Sequence, residues 1–229
     1  MRIAGLIGGI GPESTLEYYR LIVSAYGERK GDGSHPLLVI NSIELNQVVD
    51  TITRNALDET VDYLVTEIER LARAGADFGA LAANTPHIVF DEIQRRSPIP
   101  LISIVEATRD AAAGMKRVAL LGTRFTMQGR FYADVFARSG IELIVPPQSD
   151  HDWIHDKYMN ELVNGKFFPE TRERLLGVVD DLIDRHHVEA VILGGTELPL
   201  LLRDHSRRGV PLLDTTKIHV DRIVDELLR

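Results

Sequence analysis

The stretch RIAGLIGGIGPESTLEYYRLI, residues 2–22, decides the fold class of this chain. It begins as a short apolar strand, turns at a glycine-rich loop and continues as a helix. The stretch RVALLGTRFTMQGRFYADVF, residues 117–136, repeats this order. Apolar strands that alternate with helices indicate parallel sheets covered by helices on both faces. We therefore predict an α/β fold.

Further segments extend the similarity between the two halves of the chain. FGALAANTPHIVF (78–90) and EAVILGGTELPLL (189–201) each predict a buried strand, a polar loop and a helix, and IPLISIVEAT (99–108) matches VPLLDTTKIH (210–219). Their common order and similar spacing favour two duplicated halves, although unrelated α/β segments can also show such similarity. We place the halves at 1–110 and 111–229, and the last helix can pack on the first half.

Eight segments have the apolar, β-branched character of strands. They are Arg2–Ile7, Leu37–Asn41, Phe78–Ala82, Leu101–Ser103, Arg117–Leu121, Glu142–Val145, Ala190–Leu193 and Leu212–Leu213.

The composition of the chain argues against several classes of partner and mechanism. The chain has 229 residues, a formal net charge of −8 and no cysteine. The charge argues against nucleic acid or an anionic membrane surface as a partner, and no apolar run approaches the roughly 20 residues of a membrane helix. The N-terminus lacks the features of a signal peptide, so we expect a cytoplasmic protein. Without cysteine, disulfides, Cys-ligated metals and every thiolate mechanism are excluded.

The glycine-rich loop at residues 8–11 does not match a nucleotide-binding motif. Pro12, Glu13 and Ser14 follow Gly11 where a dinucleotide-binding loop needs a further glycine, and no Gly-Lys-Ser/Thr is present. The loop still presents a helix N-terminus that suits a carboxylate or phosphate. We expect Ser14 to bind the ligand; the alternative is that Ser14 or Glu13 only caps the helix.

Two polar loops follow buried strands, where α/β proteins place their chemistry. The NTPH loop contributes Asn84 and Thr85, and the GGTELP loop contributes Thr196 and Glu197. Capping by either threonine is an alternative role. The loops together predict a binding site for a small carboxylate, without specifying a reaction.

A histidine- and aspartate-rich segment surrounds the single tryptophan. It includes His151, Asp152, His155 and Asp156, but it lacks the glutamate of a zinc-protease motif. We interpret it as a solvated helix face and predict neither a metal nor a cofactor.

The segments GLIGGIGPESTLEYYRLI, NTPHIVFDEIQ, PLISIVEAT, HDKYMNELVNGKF, VILGGTELPLLL and PLLDTTKIHVDRIVDELL resemble the aspartate/glutamate racemase family. The resemblance extends from about residue 3 to the C-terminus, with all motifs in order. It implies two Rossmann-like parallel-sheet halves related by pseudo-twofold symmetry, with the active-site cleft between them. It also implies cofactor-independent amino-acid racemisation by two cysteines, a lysine at position 166 for the substrate carboxylate, and a homodimer.

The chain departs from that family at both cysteine positions. By the resemblance, Ala83 stands at the first and Gly195 at the second. Neither residue carries an acid–base group, so racemisation by two thiols cannot occur.

Replacement groups must therefore come from neighbouring positions. His87 lies about one helical turn beyond Ala83 and has a suitable unperturbed pKa, while Thr196 and Glu197 follow Gly195. We expect His87, Glu197 and Thr196 to be catalytic, and Ser14, Asn84, Thr85, Thr196 and Lys166 to bind an amino acid or carboxylate.

Three functions stay open at this stage. The first is a racemase-like isomerase that transfers a proton at the α-carbon. The second is a decarboxylase or lyase on the same scaffold. The third is a non-catalytic amino-acid-binding homologue, which needs the binding residues but not the bases.

Overall fold

A computed structural model describes residues 2–202 and 204–229 of the chain. The chain divides into two compact units. The first contains the residues up to Ile104 together with His219–Arg229, and the second contains Val105–Ile218. The last segment of the chain is thus part of the first unit.

The first unit consists of alternating strands and helices. In chain order they are β1 (Ile3–Gly8), α1 (Pro12–Lys30), β2 (Leu37–Ser42), α2 (Leu45–Thr53), α3 (Leu57–Arg73), β3 (Phe78–Leu81), a 3-10 helix (Thr85–Val89), α4 (Phe90–Arg96) and β4 (Leu101–Ile102). All pairs in its sheet are parallel, in the order β2-β1-β3-β4.

The remaining elements begin with α5, whose first residue ends the first unit. In chain order they are α5 (Ile104–Ala111), β5 (Arg117–Gly122), α6 (Arg124–Gln128), α7 (Arg130–Ala137), β6 (Glu142–Ile144), α8 (Gln148–Asn160), a 3-10 helix (Leu162–Asn164), α9 (Pro169–His186), β7 (Ala190–Gly194), α10 (Leu198–Leu202), β8 (Ser206–Arg207), β9 (Val210–Asp214) and α11 (Thr215–Leu227). The second sheet has the order β6-β5-β7-β9-β8.

The two sheets share one topology, as the duplication hypothesis requires. In each sheet the first strand of the unit lies between the second and third; β4 then ends the first sheet, whereas in the second sheet β9 follows β7 and β8 lies at the edge. The predicted α/β fold with two mostly parallel sheets is confirmed. Strand β8, which pairs antiparallel with β9, was not predicted, because two polar residues carry no strand pattern.

Each unit has its own apolar core. In the first unit, β1 and β3 pack with α1 and with the end of α11, which contributes Val220, Ile223, Val224 and Leu227. In the second unit, β5 and β7 pack against α8 and α9. The central strands β3 and β7 are buried along their length, and β5 is buried after its first residue. The loops at their carboxyl ends carry the polar groups.

Within residues 2–202 and 204–229, no helix is both long and apolar enough to cross a membrane.

Candidate functional site

The glycine-rich loop of the first unit is closed onto the first turn of α1. The Gly9 amide donates a hydrogen bond to Thr15 Oγ1 at 2.8 Å, and this hydroxyl donates to the Gly11 carbonyl at 3.2 Å. Gly9 has a φ of 84°, and a Cβ there would collide with the Ile43 carbonyl. The glycine at position 9 is therefore required by the backbone turn and by close packing.

Ser14 ties α1 to the end of β3. Its side chain is fully buried, and its Oγ donates a hydrogen bond to the Ala82 carbonyl at 3.0 Å. Neither Ser14 nor Glu13 caps the helix, because Gly11 occupies the N-cap without a side-chain bond. The Ser14 hydroxyl is thus fixed beside the loop that carries Ala83, as expected for a residue of the site, and its role in ligand binding stays a prediction.

The NTPH loop leaves β3 as a 3-10 turn. Ala83 and Asn84 are buried, Thr85 is half-buried, and the His87 amide donates to the Asn84 carbonyl at 3.0 Å. Asn84 occupies the N-cap position without a side-chain cap bond, and Thr85 begins the 3-10 helix. Thr85 therefore lies inside this turn and does not occupy its N-cap position.

The His87 imidazole is buried and bonded to backbone at both nitrogens. Nδ1 lies 3.0 Å from the Ala83 carbonyl, and Nε2 lies 3.3 Å from the Ile104 amide. These partners assign the proton to Nδ1 and leave Nε2 as an acceptor. Burial, together with the neighbouring His219, lowers the pKa of His87 to about 3. The ring is therefore neutral at physiological pH.

His219 extends this buried polar network. Its Nδ1 accepts a hydrogen bond from the Tyr18 hydroxyl at 2.8 Å, and its Nε2 donates to the Ile102 carbonyl at 2.9 Å. Burial lowers its pKa to about 4. The sequence did not single out His219, because only the packing of α11 on the first unit brings it within 6.4 Å of the His87 ring centre.

In the second unit, Glu197 is held at the end of β7. The carboxylate is buried, and its Oε2 accepts hydrogen bonds from the hydroxyls of Tyr158 and Thr196, the latter at 3.0 Å. Burial, with the adjacent Glu197 charge, raises the pKa of Tyr158 well above its usual value. Tyr158 is therefore a neutral phenol that donates to a carboxylate. The structure brings Thr196 and Glu197 together, and it adds Tyr158.

The Tyr158 ring fills the space beside Gly195. A Cβ built on Gly195 would lie 2.5 Å from Tyr158 Cε2 and 2.8 Å from the phenol oxygen. Because Cβ atoms do not come so close to other atoms, a side chain at position 195 requires the Tyr158 ring to move, and glycine is the residue that fits beside the ring where it stands. Sequence reasoning missed Tyr158, because the contact joins α8 to a loop 37 residues later in the chain.

Lys166 lies on the surface of the second unit. It follows a turn at Gly165, and its amide donates to the Glu161 carbonyl at 3.0 Å. Burial raises the pKa of the Glu161 carboxyl, but hydrogen bonds from Lys157 and Thr171 and the charges of Lys157 and Lys166 outweigh it and lower the pKa. Lys166 is exposed, and its contact with a ligand carboxylate stays a prediction.

Grouped metal ligands are not found in the described parts of the chain, 2–202 and 204–229: no three His, Asp or Glu side chains are placed to hold an ion. His151 is buried in the first turns of α8, and the Nδ1 of His155 accepts from the Arg124 amide at 3.4 Å. His151 is thus part of the packing of α8 and His155 is half-buried, whereas Asp152 and Asp156 are exposed and form the solvated face expected for this segment.

Comparison with known proteins identifies the family. The profile of the Asp/Glu/Hydantoin racemase family matches residues 7–223, and the chain belongs to this family. The broad specificity amino-acid racemase RacX of Bacillus subtilis (strain 168) is 27% identical over 219 residues, covering 93% of this chain and 92% of RacX.

Two solved structures resemble the whole chain. A candidate Asp/Glu racemase from Yersinia pestis is 30% identical with a TM-score of 0.88, and it covers 100% of both chains. An aspartate racemase homologue from Pyrococcus horikoshii OT3 is 31% identical with a TM-score of 0.83, also over 100% of both chains. The resemblance found in the sequence motifs is thereby confirmed.

Proposed function

We propose that this chain is a racemase-like isomerase that transfers a proton at the α-carbon of a small amino acid or related carboxylic acid without cysteines. The Glu197 carboxylate carries the proposal. It is buried at the loop where the resemblance to the family implies the second thiol, and two hydroxyls hold one of its oxygens. A carboxylate in this position can accept a proton where a thiolate otherwise would.

His87 is the candidate for the second proton-transfer group. Its pKa of about 3 keeps the ring neutral, so it cannot act as an imidazolium acid. A neutral imidazole can still polarise or protonate a developing anion when its N–H is well placed. This role requires the Nδ1 proton to break its hydrogen bond to the Ala83 carbonyl. We therefore expect proton transfer at His87 to be slower than proton transfer at Glu197.

The remaining roles follow from the loops and from the family. Ser14, Asn84, Thr85, Thr196 and Lys166 are proposed to bind the ligand, whose carboxylate suits hydroxyl and ammonium donors. Proton transfer by side chains needs no cofactor. A homodimer in the cytoplasm completes the proposal, supported by the family resemblance and by the composition of the chain.

A second candidate function is a non-catalytic amino-acid-binding protein. It is favoured by His87, whose two ring nitrogens both have backbone partners. A binding protein keeps ligand contacts and has no need of a free acid–base group on each unit.

Incubation with a panel of L- and D-amino acids in D2O separates the two functions. Proton NMR follows loss of the α-proton signal, chiral chromatography follows inversion, and calorimetry measures binding. We expect one acidic or small amino acid to lose its α-proton and to yield the opposite enantiomer. Saturable binding of an amino acid without α-proton exchange would contradict the isomerase function and support the binding-protein function. Loss of carbon dioxide would instead indicate a decarboxylase.

A further inference from the structure

The starting observation is that Tyr158 takes the place of a side chain at position 195. A Cβ on Gly195 would lie 2.8 Å from the phenol oxygen, and a thiol sulfur would be one bond further. The phenol oxygen therefore borders the space that a side chain at position 195, where the resemblance implies the family's second cysteine, would enter.

Packing alone does not explain a tyrosine at this position. Tyr158 is 5% exposed and belongs to the apolar core of the second unit, where phenylalanine would fill the same volume. A buried hydroxyl and a buried carboxylate both cost free energy unless they are paired. The hydroxyl is paired with Glu197, so the chain keeps two polar groups at the carboxyl end of β7.

The hydrogen bonds fix the direction in which a proton can move. The phenol donates to Glu197 Oε2, and the Glu197 amide donates weakly to the phenol oxygen at 3.4 Å. A phenol oxygen has two lone pairs, and both the Glu197 amide and the Thr196 hydroxyl approach this one, so a proton that arrives from a ligand displaces one of these weak donors. The Thr196 hydroxyl stabilises the same carboxylate oxygen at 3.0 Å.

We propose that Tyr158 and Glu197 form a proton relay that replaces the family's second thiol. The inference rests on the proposed function of the chain. As the α-carbon–hydrogen bond breaks, its proton moves to the phenol oxygen, and the phenol's own proton moves along the existing hydrogen bond to Glu197 Oε2. The electron pair stays on the ligand as a carbanion. Reversal of both steps returns a proton to the α-carbon.

The relay explains why the site can hold a phenol that resists ionisation. Burial and the Glu197 charge keep the pKa of Tyr158 well above its usual value, so a free phenolate is disfavoured. In the relay, the phenol gains one proton and loses another, the Glu197 carboxylate is neutralised by the proton it accepts, and the negative charge passes to the ligand carbanion. The phenol remains neutral throughout.

The first test is Tyr158→Phe, which removes the hydroxyl and keeps the ring. Its matched control is Tyr132→Phe, another fully buried tyrosine of the second unit, on α7. We expect Tyr158→Phe to lower the rate of α-proton exchange in D2O by about 100-fold or more, the usual contribution of general acid–base catalysis. Ligand affinity should change little, and Tyr132→Phe should keep the exchange rate.

A second test needs no catalysis. Because the chain has no cysteine, a thiol placed at position 195 can be labelled uniquely with iodoacetamide. We expect Gly195→Cys alone to unfold at lower denaturant concentration than the unaltered chain. The double variant Tyr158→Ala/Gly195→Cys should fold better than the single variant, and the bound amino acid should slow its labelling.

The outcomes separate the relay from the proposed function. If Tyr158→Phe exchanges the α-proton as fast as the unaltered chain, the relay is overturned and the proposed isomerase function stands. Absence of exchange by the unaltered chain overturns the isomerase and the relay together. If the amino acid does not slow iodoacetamide labelling of the double variant, position 195 lies away from the ligand, and the relay is also overturned. Loss of exchange in Tyr158→Phe with protected labelling supports it.

Discussion

The Tyr158 ring lies in the space that any side chain at position 195 would occupy, with Cε2 2.5 Å from a Cβ built on Gly195. This pairing explains how the chain can lack a cysteine at the GGTELP loop without leaving a cavity. It also places the phenol beside Glu197, the buried carboxylate of that loop.

Gly195→Ala should destabilise the protein, because the new methyl group collides with the Tyr158 ring. Overpacking of this kind costs about 1–3 kcal/mol in the free energy of unfolding. The control is Gly177→Ala, an exposed position within α9 where a Cβ meets nothing within 4 Å. That change should stabilise the chain by up to about 1 kcal/mol. Urea denaturation measures both.

A double-mutant cycle extends this prediction. Tyr158→Ala removes the ring that the methyl group meets, so the cost of Gly195→Ala should shrink in its presence. The coupling energy is expected at about 0.5–3 kcal/mol, typical of residues in contact. Additive effects of the two substitutions would show that the close contact is absent in solution.

Ser14→Ala should weaken the first unit, because the Ala82 carbonyl loses a buried donor. Leaving a buried group unpaired costs about 1–3 kcal/mol. Ser24→Ala is the matched control on the same helix, since Ser24 is exposed and its hydroxyl donates to the exposed Glu28 carboxylate at 2.9 Å. Thermal unfolding should show a clear loss for Ser14→Ala and little change for Ser24→Ala. Equal losses would contradict the role assigned to Ser14.

Stability should fall as the pH drops below about 6.5, because the buried imidazoles resist protonation in the folded chain. The pKa values of His87 and His219 are about 3 and about 4, below the 6.5 of a free imidazole. The unfolded chain therefore binds protons first, and the stabilisation present above pH 6.5 is lost progressively down to about pH 3. Each pKa unit corresponds to about 1.4 kcal/mol.

Urea denaturation between pH 7 and about 4.5 checks this dependence. His219→Gln should flatten the fall in unfolding free energy over this range, because one of the two buried imidazoles is removed. His35→Gln, at an exposed position, should leave the slope as it is. An unchanged slope in His219→Gln would show that the buried network does not govern the pH response.

Ile223→Ala should destabilise the first unit by about 2–5 kcal/mol, the usual cost of truncating a buried isoleucine. Ile223 is fully buried in the core that α1, β1 and β3 share with the end of α11. Leu228, 38% exposed, lies just beyond the helix, so Leu228→Ala should cost much less. Similar costs for the two variants would contradict the packing of α11 in this core.

The fold was predictable because its signals are local. The apolar strands and the loops after Gly8 and Gly122 specify β1 and β5, and the repeat of this order predicts two sheets of one topology. The site was predictable only in part. Thr196 and Glu197 are neighbours in sequence, whereas Tyr158 and His219 enter through packing between distant elements, which periodicity does not encode.

The catalytic role proposed for His87 also shows what sequence spacing cannot predict. Sequence spacing places it one turn beyond Ala83, and the structure confirms that its ring reaches the Ala83 carbonyl. The spacing cannot reveal that the Ile104 amide donates a hydrogen bond to the other ring nitrogen, because that contact depends on the position of the chain segment that follows β4. Its role in proton transfer therefore stays a prediction.

The rate of α-proton exchange in D2O for Glu197→Gln, relative to the unaltered chain, tests the central claim most directly. Glu170→Gln, an exposed position in the first turn of α9, is the matched control. We predict that Glu197→Gln lowers exchange by about 100-fold or more while the amino acid still binds, and that Glu170→Gln exchanges normally. Exchange by Glu197→Gln at the rate of the unaltered chain would contradict the claim that this carboxylate replaces the missing thiol.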